Sequence, residues 1–134
     1  MAKVIYLVAV DGSEWSDRAA LRAVTLAEKT GAEVHFITVV PTTTPALNRK
    51  VIEEIERNNI LAPLIRRFSG SGVKTKSSLH WGPPAEIIHE QAKADHVNMV
   101  FVGRRGRSKI ADLLMGSVAN TLAHNIGVPI VLVP

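Results

Sequence analysis

Apolar runs rich in β-branched residues recur at residues 3–10, 33–40, 73–79, 98–102 and 128–133. Short continuous runs of this kind predict strands. Between them the spacing predicts helices over 14–30, 45–68, 83–94 and 116–125. In the first, Ala19, Ala20, Ala23, Val24 and Ala27 fall on one stripe, the three-and-four spacing of a helix that buries one face. Ser13 or Ser16 can cap that helix and Gly31 can stop it; Gly70 and Gly72 close the second, and Pro83 or Pro84 suits the first turn of the third. The second helix carries Asn58, Asn59 and Pro63 inside it, and its apolar stripe shifts phase between Ile55 and Leu61, which predicts a kink or two short helices. Thr42, Thr43, Thr44 and Pro45 read as a connecting loop.

Strand and helix alternate along the whole chain, so the expected fold class is α/β: right-handed crossovers building one parallel sheet covered on both faces. The strands differ in polarity. Residues 4–10 and 99–102 are almost wholly apolar, as strands buried on both faces must be, whereas 73–79 is mostly polar and suits an edge. The first and fourth strands are therefore expected at the centre of a doubly wound, five-stranded sheet of order 3-2-1-4-5. Crossovers that leave such neighbours toward opposite faces open a crevice at their carboxyl ends. Residues following strands one and four are expected to line it.

Composition narrows the picture. A chain of 134 residues with 46% hydrophobic content matches one compact domain, residues 1–134. The lack of cysteine excludes disulfide frameworks, thiolate metal sites and cysteine nucleophiles. No apolar run has the ~18 residues of a membrane span, and Met1, Ala2 and Lys3 lead into a strand without a signal-peptide pattern, so a cytoplasmic protein without membrane insertion is expected. The net charge of +4 is spread along the chain and is a poor argument for nucleic-acid binding. One cluster stands out, Arg104, Arg105, Arg107 and Lys109, which can neutralise phosphates or form a solvated loop.

The candidate chemistry lies at the two strand ends facing the crevice. Asp11, Gly12 and Ser13 follow strand one; Gly103, two arginines and Gly106 follow strand four, and after nine intervening residues Gly116 and Ser117 open the last helix. Gly103 and Gly106 are expected to let backbone amides approach a phosphate, with positive φ at little cost. The free amides and positive dipole end at Gly116, Ser117 and Val118 favour an anion. Singly, each feature is commonly a turn or a cap. Converging on one crevice, they point to a polyphosphate.

The pattern of Gly103, Gly106, Gly116 and Ser117 resembles the ATP-binding signature of the universal stress protein family. Residues 8–13 resemble that family's first-strand motif and residues 127–133 its last strand, so the similarity spans nearly the whole chain. The resemblance implies that Asp11 contacts the nucleoside end, that Val39 meets adenine through its main chain, and that Val102 and Gly103 flank the ribose and α-phosphate. It places Arg105 and Gly106 along the phosphates, and Gly116, Ser117 and Val118 on the β- and γ-phosphates. ATP is the implied cofactor, with Mg2+ or Mn2+ bound mainly through the phosphates and no dedicated protein ligand. The family habit of dimerising through the last strand implies a homodimer along the stretch from Pro129 to Val133, which is short, apolar and expected at an unguarded sheet edge.

Two departures stand out. Arg104 and Arg105 replace the smaller polar or histidine groups frequent there, and Pro63 lies in a rather short segment after strand two. No Walker A ending is present, Gly70 and Gly72 precede a strand instead of following one, and the five histidines lack metal-ligand spacing. No general base is apparent near Gly116 to Val118, so no catalytic residue is assigned and at most slow ATP hydrolysis is expected. The leading reading is an ATP-binding stress or signalling module that presents a nucleotide-dependent surface to a protein partner. An ATP-independent dimeric interaction module and a weak ATPase using Asp11 or Ser117 are the alternatives.

Overall fold

A computed structural model describes residues 3–43, 48–106 and 115–134 of the chain. The strands are β1 (Ile5–Ala9), β2 (Glu33–Val40), β3 (Thr75–Trp81), β4 (Met99–Gly103) and β5 (Ile130–Val133). The helices are α1 (Glu14–Thr30), α2 (Arg49–Glu56), α3 (Ala62–Phe68), α4 (Pro84–Ala94) and α5 (Ser117–Asn125). The strands form one sheet of order β3-β2-β1-β4-β5, parallel throughout. The expected doubly wound α/β architecture is present.

The alternation within β1 explains why its sequence is apolar at every position. Tyr6, Val8 and Val10 pack on one face with the alanine stripe of α1 and with Phe36, Leu64 and Phe68. Ile5 and Leu7 pack on the other with Ile37, Ile88, Val100 and Leu122. A strand clad on both sides has no position left for a polar side chain. By contrast β3, at the sheet edge, is only half-buried. It runs two residues beyond the expected 73–79, because His80 and Trp81 continue the ladder opposite Val39 and Val40 until the chain bends at Gly82.

The phase shift in the second helical region has a definite cause. Arg57–Leu61 forms a π-helical turn between α2 and α3, and the amide of Ala62 donates to the Arg57 carbonyl five residues back. The widened turn takes up an extra residue and re-aims the stripe. Ile60, Leu61, Leu64 and Phe68 are buried, whereas Val51 and Ile55 of α2 are exposed. Pro63 sits just inside the start of α3, so its missing amide is tolerated without breaking the helix. The expected start of this region, residues 45–47, lies outside the described residues, as do Thr44 and Pro45 of the expected loop. No residue of α2 is fully buried; it is held through β3, where Trp81 Nε1 donates to Glu53 Oε1 at 2.8 Å and the Arg49 guanidinium lies 4.5 Å from the indole centroid.

An ion cluster binds the strands at their amino ends. Glu33, with a side chain 7% exposed, pairs with Lys3 at 2.9 Å and Lys74 at 3.2 Å, and its Oε2 lies 4.0 Å from His35 Nε2. Burial raises the Glu33 pKa, but the two ammonium groups more than offset it and hold the carboxyl below its ordinary value. Burial pushes His35 down, outweighing the pull of Glu33. Nearby, Asn98 locks β4 to β1: its Oδ1 accepts from the Ile5 amide and its own amide donates to the Ile5 carbonyl, both at 2.9 Å.

Candidate functional site

β1 and β4 are direct neighbours, with Ala9 opposite Val102. α1 covers one face of this pair, while α4 and α5 cover the other. The chain therefore leaves the two strands on opposite sides, and a crevice of about 310 Å³ opens at their carboxyl ends. Asp11, Val39, Val102, Gly103, Arg105, Gly106, Gly116, Ser117 and Val118 all line it. Two loops about ninety residues apart in the chain thus share one cavity wall.

The crevice has two chemically different ends. Ile37, Val39, Pro41, Pro84 and Ile88 form an apolar slot under the carboxyl ends of β2 and the start of α4. Arg105, Gly106, Gly116 and Ser117 form the other end, at the amino terminus of α5. Among the described residues no side-chain hydrogen bond caps that helix, nor α3 or α4, whereas Ser13 caps α1 and Asn48 caps α2. Gly116 itself donates to the Arg104 carbonyl at 2.7 Å. An anion at this helix end would therefore meet the amides of Ser117 and Val118, with the helix dipole favouring negative charge.

Asp11 is held in a turn that also starts α1. Its Oδ1 accepts from the Ser13 amide at 2.9 Å, and its own amide donates to Ser16 Oγ at 3.2 Å. The Ser16 amide donates to Ser13 Oγ, and the buried Ser16 hydroxyl donates back to the Ser13 carbonyl at 3.0 Å. Gly12 has φ 84°, a left-handed conformation that a side chain would strain. Asp11 is the one carboxylate lining the crevice among the described residues.

The β4 glycines have a packing role that their spacing did not show. Neither Gly103 nor Gly106 has positive φ. A Cβ on Gly103 would stand 2.7 Å from Trp15 Cβ and 2.8 Å from the Trp15 carbonyl carbon. A Cβ on Gly106 would stand 2.7 Å from Asp11 Oδ2. These glycines are needed first for close contact between the two loops, which brings the crevice walls together. At Gly116 the nearest atoms to a Cβ are Arg105 Cα and the Gly106 amide nitrogen, both at 3.4 Å, so this residue seats α5 against the same loop. Of the basic cluster, Arg107 and Lys109 lie outside the described residues.

Ser16, Ile37, Pro41, Pro84 and Ile88 also line the crevice, beyond the residues expected there. For Pro84 and Ile88 a signal was present: in order 3-2-1-4-5 the helix after β3 begins at the same sheet end as the ligand crevice. For Ser16 the sequence showed only a possible cap.

Residues 5–134 match the model of the universal stress protein family. The universal stress protein YxiE of Bacillus subtilis is 30% identical over 142 residues, covering 95% of this chain and 96% of that protein. Among solved structures, the hypothetical protein MJ0577 superposes with a TM-score of 0.86 at 20% identity, over 99% of this chain and 96% of its own. The universal stress protein from Archaeoglobus fulgidus in complex with dAMP superposes with a TM-score of 0.75 at 20% identity, over 99% and 98% of the two chains. With the family model matched from β1 to the last residue and the fold shared throughout, the chain belongs to the universal stress protein family.

Proposed function

We propose that the crevice binds ATP and that the protein acts as a nucleotide-dependent stress or signalling module. The observation that carries this reading is the polarity of the crevice: an apolar slot at one end, and at the other an arginine beside a helix amino terminus that no side chain caps among the described residues. That division matches a purine at one end and phosphates at the other. A cavity of about 310 Å³ falls at the lower end of the small-molecule range. In this pose Val39 borders adenine, Asp11 the nucleoside, Val102 and Gly103 the ribose, and Ser117 and Val118 the distal phosphates. The dAMP held by the Archaeoglobus relative supports an adenine nucleotide as the guest.

Mg2+ or Mn2+ would accompany the triphosphate. The described crevice offers it one carboxylate, Asp11, already engaged by the Ser13 amide, so phosphate oxygens would supply most of its ligands. Two copies would pair along β5, an edge strand whose outer backbone groups have no sheet neighbour among the described residues.

Acid extraction of the purified protein should release an adenine nucleotide, and calorimetric titration with ATP and magnesium should give saturable heat that ADP competes away. Gly116→Val should weaken ATP binding by at least about tenfold while leaving the circular dichroism spectrum unchanged, because its branches would enter the space beside Arg105 and Gly106. Full ATP affinity in that folded variant would rule out this site.

A further inference from the structure

We propose that Trp15 is a positioning residue of the crevice: its indole holds the Arg105 side chain at the polar end, so that ligands are ranked by phosphate charge. This rests on the nucleotide reading above. The Arg105 guanidinium carbon lies 5.7 Å from the Trp15 ring centroid, within the ~6 Å over which a cation is attracted to an indole face. Arg105 also lines the crevice. One aromatic ring therefore lies within reach of a cation of the cavity wall.

The backbone that carries the ring is itself fixed. Trp15 belongs to the first turn of α1, anchored by the Ser13 cap and by the bond from the Asp11 amide to Ser16. Its Cβ and carbonyl carbon fill the space where Gly103 would carry a side chain, so α1 and the end of β4 meet with no slack. Arg18 shares the same indole at 5.7 Å, and its Nε donates to the Pro134 carbonyl at 2.9 Å. The second cation is thus tethered to the end of the chain beyond β5, and Arg105 is the one directed to the cavity.

The consequence for binding is entropic and electrostatic. A long arginine in water samples many rotamers, and ordering it on a ligand costs free energy that a preset guanidinium avoids. The planar fork matches phosphate oxygens two at a time. A base in the apolar slot brings successive phosphates toward Arg105, so the ring should matter for ATP and ADP and little for AMP.

The test is calorimetric titration of the whole chain with magnesium ATP, magnesium ADP and AMP. Trp15→Leu should weaken ATP by about three- to tenfold and AMP by less than about twofold. Trp15→Phe should recover part of the loss, and Arg105→Gln should reproduce the Trp15→Leu pattern with no further loss in the double variant. An unchanged ATP-to-AMP ratio in Trp15→Leu, or an equal loss for all three ligands, would overturn the positioning role while leaving nucleotide binding intact. If Trp15→Leu does not fold, the Trp15→Phe and Arg105→Gln pair decides: losses that fail to add support the role, and additive losses overturn it. Wild-type protein that binds none of the three overturns the nucleotide reading, and the role of Trp15 with it.

Discussion

At the scale of single residues, the two glycines at the end of β4 make room for different neighbours. Gly103 is small so that the backbone of Trp15 can approach; Gly106 is small so that the Asp11 carboxylate can. The first contact is with main chain and cannot swing away, the second with a side chain that can. Gly103→Ala should therefore destabilise the fold by about 1–3 kcal/mol, the usual cost of overpacking, seen as a lowered urea midpoint. Gly106→Ala should cost less stability and instead displace Asp11, weakening ligand binding in a folded protein. Equal urea midpoints for Gly103→Ala and wild type would contradict the close contact. That glycines mattered at these positions was legible from their spacing after a strand. What they make room for was not, because Trp15 and Asp11 lie about ninety residues away in the chain.

At the scale of elements, the best-read features are those set by local chemistry. α1 spans the expected Glu14–Thr30, since a serine cap, a run of stripe-spaced alanines and a left-handed Gly31 (φ 78°) all act within a few residues. The disturbance around Asn58 was equally visible, but its form was not. A stripe that slips phase can be repaired by a kink, a break or a π turn, and contact with the sheet decides among them. α2, with no fully buried residue, depends on β3 for its place. Trp81→Phe keeps the ring under Arg49 and deletes the donor to Glu53, so it should cost about 0.5–1.5 kcal/mol. Hydrogen exchange should localise the loosening to α2, with β3 and β2 unaffected. Uniform exchange across all these elements would mean that α2 is held in some other way.

At the scale of the whole molecule, strand polarity made the order of the sheet legible, and the order placed the crevice at the carboxyl ends of β1 and β4. The opposite end of the sheet gave no such notice. Glu33 read as the first residue of a strand, and nothing local marks Lys3 and Lys74 as its partners; parallel pairing alone brings them together. This cluster should govern the acid limb of stability. Glu33 and His35 both have folded pKa values below their ordinary ones, so each binds protons less readily in the folded than in the unfolded chain. Each contribution is fully present above the unfolded pKa and is lost as pH falls through the folded one. His35 should act first, below about pH 6.5, and Glu33 next, below about pH 4.5. Urea midpoints measured downward from pH 8 should therefore fall in two stages. Glu33→Gln should flatten the lower stage and His35→Gln the upper, each by removing the group that titrates. A lower stage that survives intact in Glu33→Gln would move the acid sensitivity to other carboxylates and leave the amino-terminal cluster a matter of packing alone.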